Sequence, residues 1–234
     1  TYDRFPPAVR QLPPVGGLLD PNVERVLSLR PDLVIVYATQ RELRTQLTRA
    51  GIGQFEYAHR DLSDVTRTIR LVGDRLGVTG DAERLATSIE QQLAAIRREV
   101  SGRPRPRTLL IFGREAGSLR RIQASGGYGF LHDLLELAGG DDVMADVRRE
   151  SVELSTETVL ARAPEVIIEL RYGRDLGNTE VNRVVDEWSA LPVLPAVRQK
   201  RVYVLQGDEF VVPGPRVVEA ARGLERALRA GRTK

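Results

Sequence analysis

The chemically distinctive side chains of this sequence are aromatics and arginines that stand just after short apolar runs. Tyr37 follows Leu33-Val34-Ile35-Val36, His59 and Arg60 come after Gln54-Phe55-Glu56-Tyr57, and Arg114 comes after Thr108-Leu109-Leu110-Ile111-Phe112. Arg171 and Tyr172 follow Val166-Ile167-Ile168-Glu169-Leu170, and Phe210 lies beyond Arg201-Val202-Tyr203-Val204-Leu205. Tyr128 sits in the turn Ser125-Gly126-Gly127-Tyr128-Gly129, ahead of a helical stretch over 130–138. Parallel strands gather such residues at their carboxyl ends, where these sheets bind ligands. Rings and guanidinium groups there suit a large ligand that is planar or partly anionic, held by stacking and charge-assisted hydrogen bonds.

A plainer role is open to each. Tyr37 can close a strand end by packing, Arg114 and Arg171 can be solvated surface charges, and a lone His59 is more often structural than a metal ligand. Trp188 lies among Val184, Val185 and Leu191 at helical spacing, which favours core packing. The turn at Gly126-Gly127 resembles a phosphate cradle but lacks the lysine and glycine spacing of a P-loop or dinucleotide fingerprint, and a tight backbone turn explains it as well.

Catalysis has little to stand on. With no cysteine and only His59 and His132, a thiol enzyme, a disulfide scaffold, a zinc ribbon and a His-rich metal cage are excluded. No Gly-x-Ser-x-Gly elbow occurs, and neither histidine has a serine and a carboxylate beside it in a recognisable motif. The 35 basic and 32 acidic residues leave a formal charge of +3, whereas nucleic acid asks for a one-sided basic patch with aromatics interleaved. No apolar run approaches the roughly 20 residues of a membrane span. Binding without chemistry is the simpler account, with no metal site and no cofactor of the chain's own.

The elements that must position these residues form a weak internal repeat. Asp20-Pro21 opens a short helix that ends at Arg30-Pro31-Asp32 before Leu33–Val36, and Ser155 opens another that ends at Pro164-Glu165 before Val166–Leu170. In both copies the β-branched run is expected to be a buried parallel strand covered on both faces. Residues 41–50 read as a helix stopped by Gly51, and the last helix spans Val217 to Arg229. Between the copies, Ala82, Leu85, Ala86, Ile89, Leu93, Ile96 and Val100 fall at three- and four-residue spacing, a rod of roughly 30 Å. The expected organisation is an N-terminal lobe over 1–79, a backbone helix over 80–102 and a C-terminal lobe over 103–234. The first lobe has only loop-like text before Asp20, so a strand and a helix are expected to be missing from it, and no signal segment is visible in Thr1–Pro7.

The run Phe5-Pro6-Pro7 … Leu12-Pro13-Pro14-Val15-Gly16-Gly17 … Asp20-Pro21-Asn22-Val23-Glu24 … Leu29-Arg30-Pro31-Asp32-Leu33-Val34-Ile35 resembles the periplasmic binding proteins that serve ABC importers for vitamin B12 and iron-siderophores. So do Leu134-Leu135-Glu136-Leu137-Ala138-Gly139-Gly140, Leu154-Ser155-Thr156-Glu157, Pro164-Glu165-Val166-Ile167-Ile168, Arg201-Val202-Tyr203 and Pro213-Gly214-Pro215-Arg216, in the family's order. The resemblance implies an α/β fold of two Rossmann-like lobes with mostly parallel sheets joined by one long α-helix. A ligand would lie in the cleft, with little hinge motion on binding. It further implies an extracytoplasmic monomer, free or lipid-anchored, that docks on a permease dimer through one acidic residue per lobe. Glu42 matches that place in the first lobe, and Glu180 and Asp186 are the candidates in the second. Tyr37 matches an aromatic of the B12-binding branch. The expected ligand is a corrinoid such as cobalamin, with a ferric siderophore or heme as alternatives. The competing class is a two-lobed enzyme such as a glycosyltransferase or chelatase.

Overall fold

A computed structural model of the protein describes residues 5–173 and 175–230. The chain divides into two compact units, Thr1–Ala58 and His59–Lys234.

In the first unit, the loop after a 3-10 turn (Pro7–Gln11) is closed by an antiparallel bridge between Gly16 and Pro21. It leads into helix α1 (Val23–Ser28), strand β1 (Leu33–Tyr37), helix α2 (Arg41–Arg49) and strand β2 (Gly53–Tyr57). The expected cap of α1, Asp20, is replaced by Asn22, whose Oδ1 accepts the Arg25 N–H at 2.8 Å. Pro21 is spent on the bridge and the Asn22 N–H donates to the Val15 carbonyl at 2.8 Å, so the chain turns helical only at Val23. Gly16 has φ +95°, and a Cβ there would lie 2.5 Å from the Asp20 carbonyl oxygen. β1 and β2 pair in parallel from Leu33–Gly53 to Tyr37–Tyr57. Val36 packs with Val26, Leu43 and Leu47 to make this unit's core. On the other face of β1, Ile35 is 48% exposed, against the expectation of a strand covered on both sides.

The second unit opens with α3 (Ser63–Arg75) and α4 (Thr79–Val100), two helices that pack along each other. They approach so closely at Gly73 that a Cβ there would fall 2.1 Å from that of Ala82. Arg70 of α3 forks onto Glu83 and Glu90 of α4, and its guanidinium holds the Glu83 carboxyl down to about 2. The expected long helix is therefore present as α4. The helix before it, which falls inside the span assigned to the N-terminal lobe, belongs to the second unit.

The rest of this unit is a layered α/β sandwich. Its strands are β3 (Arg107–Gly113), β4 (Ile122–Ser125), β5 (Asp141–Asp142), β6 (Ser151–Leu154), β7 (Val166–Arg171) and β8 (Val202–Gln206). Its helices are α5 (Phe130–Leu137), α6 (Thr156–Arg162), α7 (Asn178–Glu187), α8 (Pro195–Arg198) and α9 (Val217–Arg229). The sheet runs β6-β4-β3-β7-β8, with β5 also on β3. β5, β7 and β8 join in parallel, whereas β4 and β6 add an antiparallel flank. Alternation sorts the two faces. Leu110, Val166, Ile168 and Leu170 pack with α3, α4, α5 and α9, while Leu109, Ile111, Ile122 and Ile167 pack with Val159, Trp188 and Ala196. Ser155 caps α6 as expected, its hydroxyl accepting the Thr158 N–H.

Candidate functional site

In the first unit, the in-register ends of β1 and β2 set Tyr37 against Tyr57, edge to face, with ring centroids 5.2 Å apart at 69°. Gln40, at the start of α2, ties this end to the preceding loop. Its Oε1 accepts the Tyr37 N–H at 2.9 Å and its Nε2 donates to the Leu18 carbonyl at 3.0 Å. The loop so held presents Leu18 and Leu19, 53% and 93% exposed. The edge-to-face aromatic pair and the two exposed leucines are aromatic and apolar groups that a large ligand could contact. Tyr57, Leu18 and Leu19 were not legible as site residues. The available signal was the matching tyrosine that ends each of the two strands. Glu42 projects from the first turn of α2 and is exposed.

In the second unit, the carboxyl ends of β3 and β7 are bound together by a buried polar hub. Glu169 is fully buried and accepts from Arg114 Nε at 3.1 Å on both oxygens, from Trp188 Nε1 at 3.1 Å, and from Arg171. Arg114 also donates to the Ser118 carbonyl at 2.7 Å and the Val184 carbonyl at 3.3 Å, pairs with Glu187 at 2.6 Å, and stands 6.0 Å from the Trp188 ring centre. Its side chain is completely buried. The expectation that Arg114 contacts ligand is thereby corrected: its donors are spent inside the protein, where they hold α7 and Trp188 onto the sheet. Trp188 is a core residue, the plainer of its two readings.

Phe210 needs the same correction. The 3-10 turn Asp208–Phe210 folds its ring inward to 5% exposure, against α9 at Gly223, where a Cβ would stand 2.8 Å from the ring. Gly126 and Gly127 are also structural, because their N–H groups donate to the Glu150 and Val147 carbonyls. A Cβ on either would fall 2.1 Å from a backbone oxygen of the 145–149 segment, so this turn is a close backbone crossing and no phosphate cradle.

The remaining residues stay accessible. Tyr128 and Tyr172 are 46% and 52% exposed, and Arg171 ends β7 with its side chain 24% exposed. Arg60 is exposed, its N–H bonded to the buried Asp64 carboxylate at 2.7 Å, and a Cβ on Gly129 would lie 3.6 Å from its carbonyl oxygen, which brings it beside the Tyr128 turn. Burial holds the His59 imidazole below its usual range. On α7, Glu180 is drawn to the helix start, where its carboxylate accepts the Gly177 N–H at 3.4 Å, while Asp186 is exposed. Among the described residues no group of three or more metal-ligating side chains occurs and no helix is long and apolar enough to cross a membrane.

Known proteins resemble this chain in sequence and fold. The family profile of periplasmic binding proteins matches residues 1–209. The vitamin B12-binding protein of Salmonella typhimurium is 28% identical over 231 residues, covering 97% of this chain and 80% of that protein. The periplasmic heme-binding protein RhuT from Roseiflexus superposes with a TM-score of 0.77 at 27% identity, over 95% of this chain and 86% of that one. The periplasmic vitamin B12 binding protein BtuF of Vibrio cholerae superposes at 0.79 over 98% and 86%, at 22% identity, a likeness of fold. The family match over residues 1–209 shows that the chain belongs to the periplasmic binding protein family: an extracytoplasmic solute-binding protein of ABC importers, which passes a small molecule to a membrane permease and is not an enzyme.

Proposed function

We propose that the ligand is a corrinoid of the vitamin B12 type. The observation that carries this reading is the edge-to-face Tyr37–Tyr57 pair at the ends of β1 and β2, together with the latched loop that exposes Leu18 and Leu19, aromatic and apolar groups suited to contact with a corrin ring. The vitamin B12-binding relative at 28% identity supports it. Heme is the second reading, supported by the heme-binding neighbour at 27% identity. Ferric siderophores remain the third class. Delivery to the permease would use Glu42 and Asp186, the exposed members of the three candidate acids, in preference to Glu180, whose carboxylate already serves the start of α7.

Calorimetry against cyanocobalamin, hemin, a ferric hydroxamate and a ferric catecholate tests the reading. Cyanocobalamin is expected to bind tightest, and Tyr37→Ala to weaken it by about 1 kcal/mol, the worth of one aromatic contact. Tighter binding of hemin or a siderophore would replace the corrinoid assignment. Glu42→Arg is expected to leave affinity intact and stop uptake in cells, and normal uptake would remove Glu42 from the docking surface.

A further inference from the structure

Glu169 interrupts the apolar run of β7 at a fully buried position. Stability alone does not call for it, since a buried ion cluster replaced by apolar residues of similar volume is often as stable or more so. Of its three donors, Arg114 and Trp188 are themselves fully buried. Arg171 differs: it ends the strand and is partly exposed, and its buried Nε has no hydrogen-bond partner among the described residues. A strand-end arginine without other duty would extend into water and satisfy every donor. This one is bent back onto Glu169 and leaves an N–H unpaired, which costs free energy and calls for an explanation.

The loop that follows is fastened as well. The Gly173 N–H donates to Asp208 Oδ1 at 3.0 Å, and Gln206 bonds both the N–H and the carbonyl of Leu176, at 2.5 and 3.3 Å. Arg171 and the half-exposed Tyr172 are thus presented from a secured strand end.

We propose that Glu169 is a positioning residue that aims Arg171 at an oxyanion of the bound ligand, a phosphodiester or a carboxylate, and that the shared carboxylate couples occupation of Arg171 to Trp188. An anion taken up by the guanidinium while Glu169 still holds it shifts the charge on the shared carboxylate, and with it the surroundings of the indole bonded to the other oxygen. Trp188 is the chain's single tryptophan, so its emission reports the hub alone. The choice of corrinoid probes rests on the proposed function; the oxyanion contact itself does not.

The test compares wild type, Arg171→Gln, Arg171→Lys and Glu169→Gln. Calorimetry uses cyanocobalamin, which carries a phosphodiester, dicyanocobinamide, which lacks it, and hemin, which carries carboxylates. Trp188 emission is followed with colourless inorganic pyrophosphate. Wild type is expected to prefer cyanocobalamin over dicyanocobinamide by about tenfold to a hundredfold, the range for one charge-assisted contact. Arg171→Gln should abolish the preference and the pyrophosphate response, Arg171→Lys should keep part of the preference, and Glu169→Gln should reduce it. If wild type binds hemin and neither corrinoid, the corrinoid reading falls, while a comparable loss of hemin affinity in Arg171→Gln upholds this proposal. It is overturned if Arg171→Gln leaves ligand preference and emission response unchanged, or if Glu169→Gln lowers the melting temperature with the preference intact. Should Glu169→Gln fail to fold, the Arg171 variants decide.

Discussion

β1 and β7 descend from the same local instructions and meet different fates. Each follows a short helix, then a residue held in the left-handed region, Arg30 at φ 48° and Ala163 at φ 45°, then proline and an acid. Beyond that point they diverge. The acid before β7, Glu165, bonds the Arg107 N–H at 3.0 Å and joins the sheet, whereas Asp32 before β1 is exposed. β7 lies between β3 and β8 with helices on both faces and is buried from Val166 to Leu170, while β1 has one strand neighbour among the described residues and an exposed side chain at Ile35. Local sequence selects the element. Neighbours distant in sequence decide its burial, and with it where a charge such as Glu169 can be enclosed.

The contrast is sharpest in the polar groups. Arg114→Met strips the buried hub of a partner and is expected to cost about 3–5 kcal/mol. Arg44→Met in the first unit breaks only the half-exposed pair with Glu56 and should cost less than about 1 kcal/mol. Urea unfolding reads both, and equal losses would erase the distinction. Next come the strands themselves: Ile168→Ala should cost about 2–5 kcal/mol and Ile35→Ala less than about 1 kcal/mol. A large loss at Ile35 would mean that its face is covered in solution. The caps should instead behave alike, Ser155→Ala and Asn22→Ala each costing about 1 kcal/mol, because both accept an N–H of the first turn.

Acid should separate the units more gently. Both histidines lie in the second unit. Burial lowers the His59 pKa, so the folded state takes up its proton less readily than the unfolded chain. The stability this contributes is present above the ordinary value near 6.5 and is lost as pH falls from there through the depressed folded value. Melting temperature is expected to drop between pH 7.5 and 5.5, and His59→Gln to flatten part of that slope; an unchanged slope would absolve His59. Smallest of all, Arg30→Gly and Ala163→Gly should each stabilise by about 0.5–1 kcal/mol, since glycine adopts the left-handed region without the Cβ penalty.

Legibility in the sequence followed the apolar signal. α9 was readable from Val217 to Arg229, and the strands that became β1, β3, β7 and β8 were readable as β-branched runs. α3 was not, because its buried face includes Asp64, Thr66 and Gly73, which carry no apolar periodicity. β4 and β6 are four residues each, too short for a pattern. At the site, the position of Arg114 and Phe210 just past strands was visible, but the direction in which the chain turned them was not. That direction depends on Glu169 and Gly223, far away in sequence.

Gln40 brings out a last consequence. Its amide is asymmetric, acceptor on one oxygen and donor on one nitrogen, and the two faces it meets, an N–H and a carbonyl, demand that polarity. Hydrolysis of the amide to a carboxylate changes almost nothing in shape, and the added negative charge suits the start of α2. It would nonetheless set oxygen against the Leu18 carbonyl. The loop that displays Leu18 and Leu19 is therefore vulnerable to deamidation, a slow chemical ageing that would spare the helix and release its neighbour.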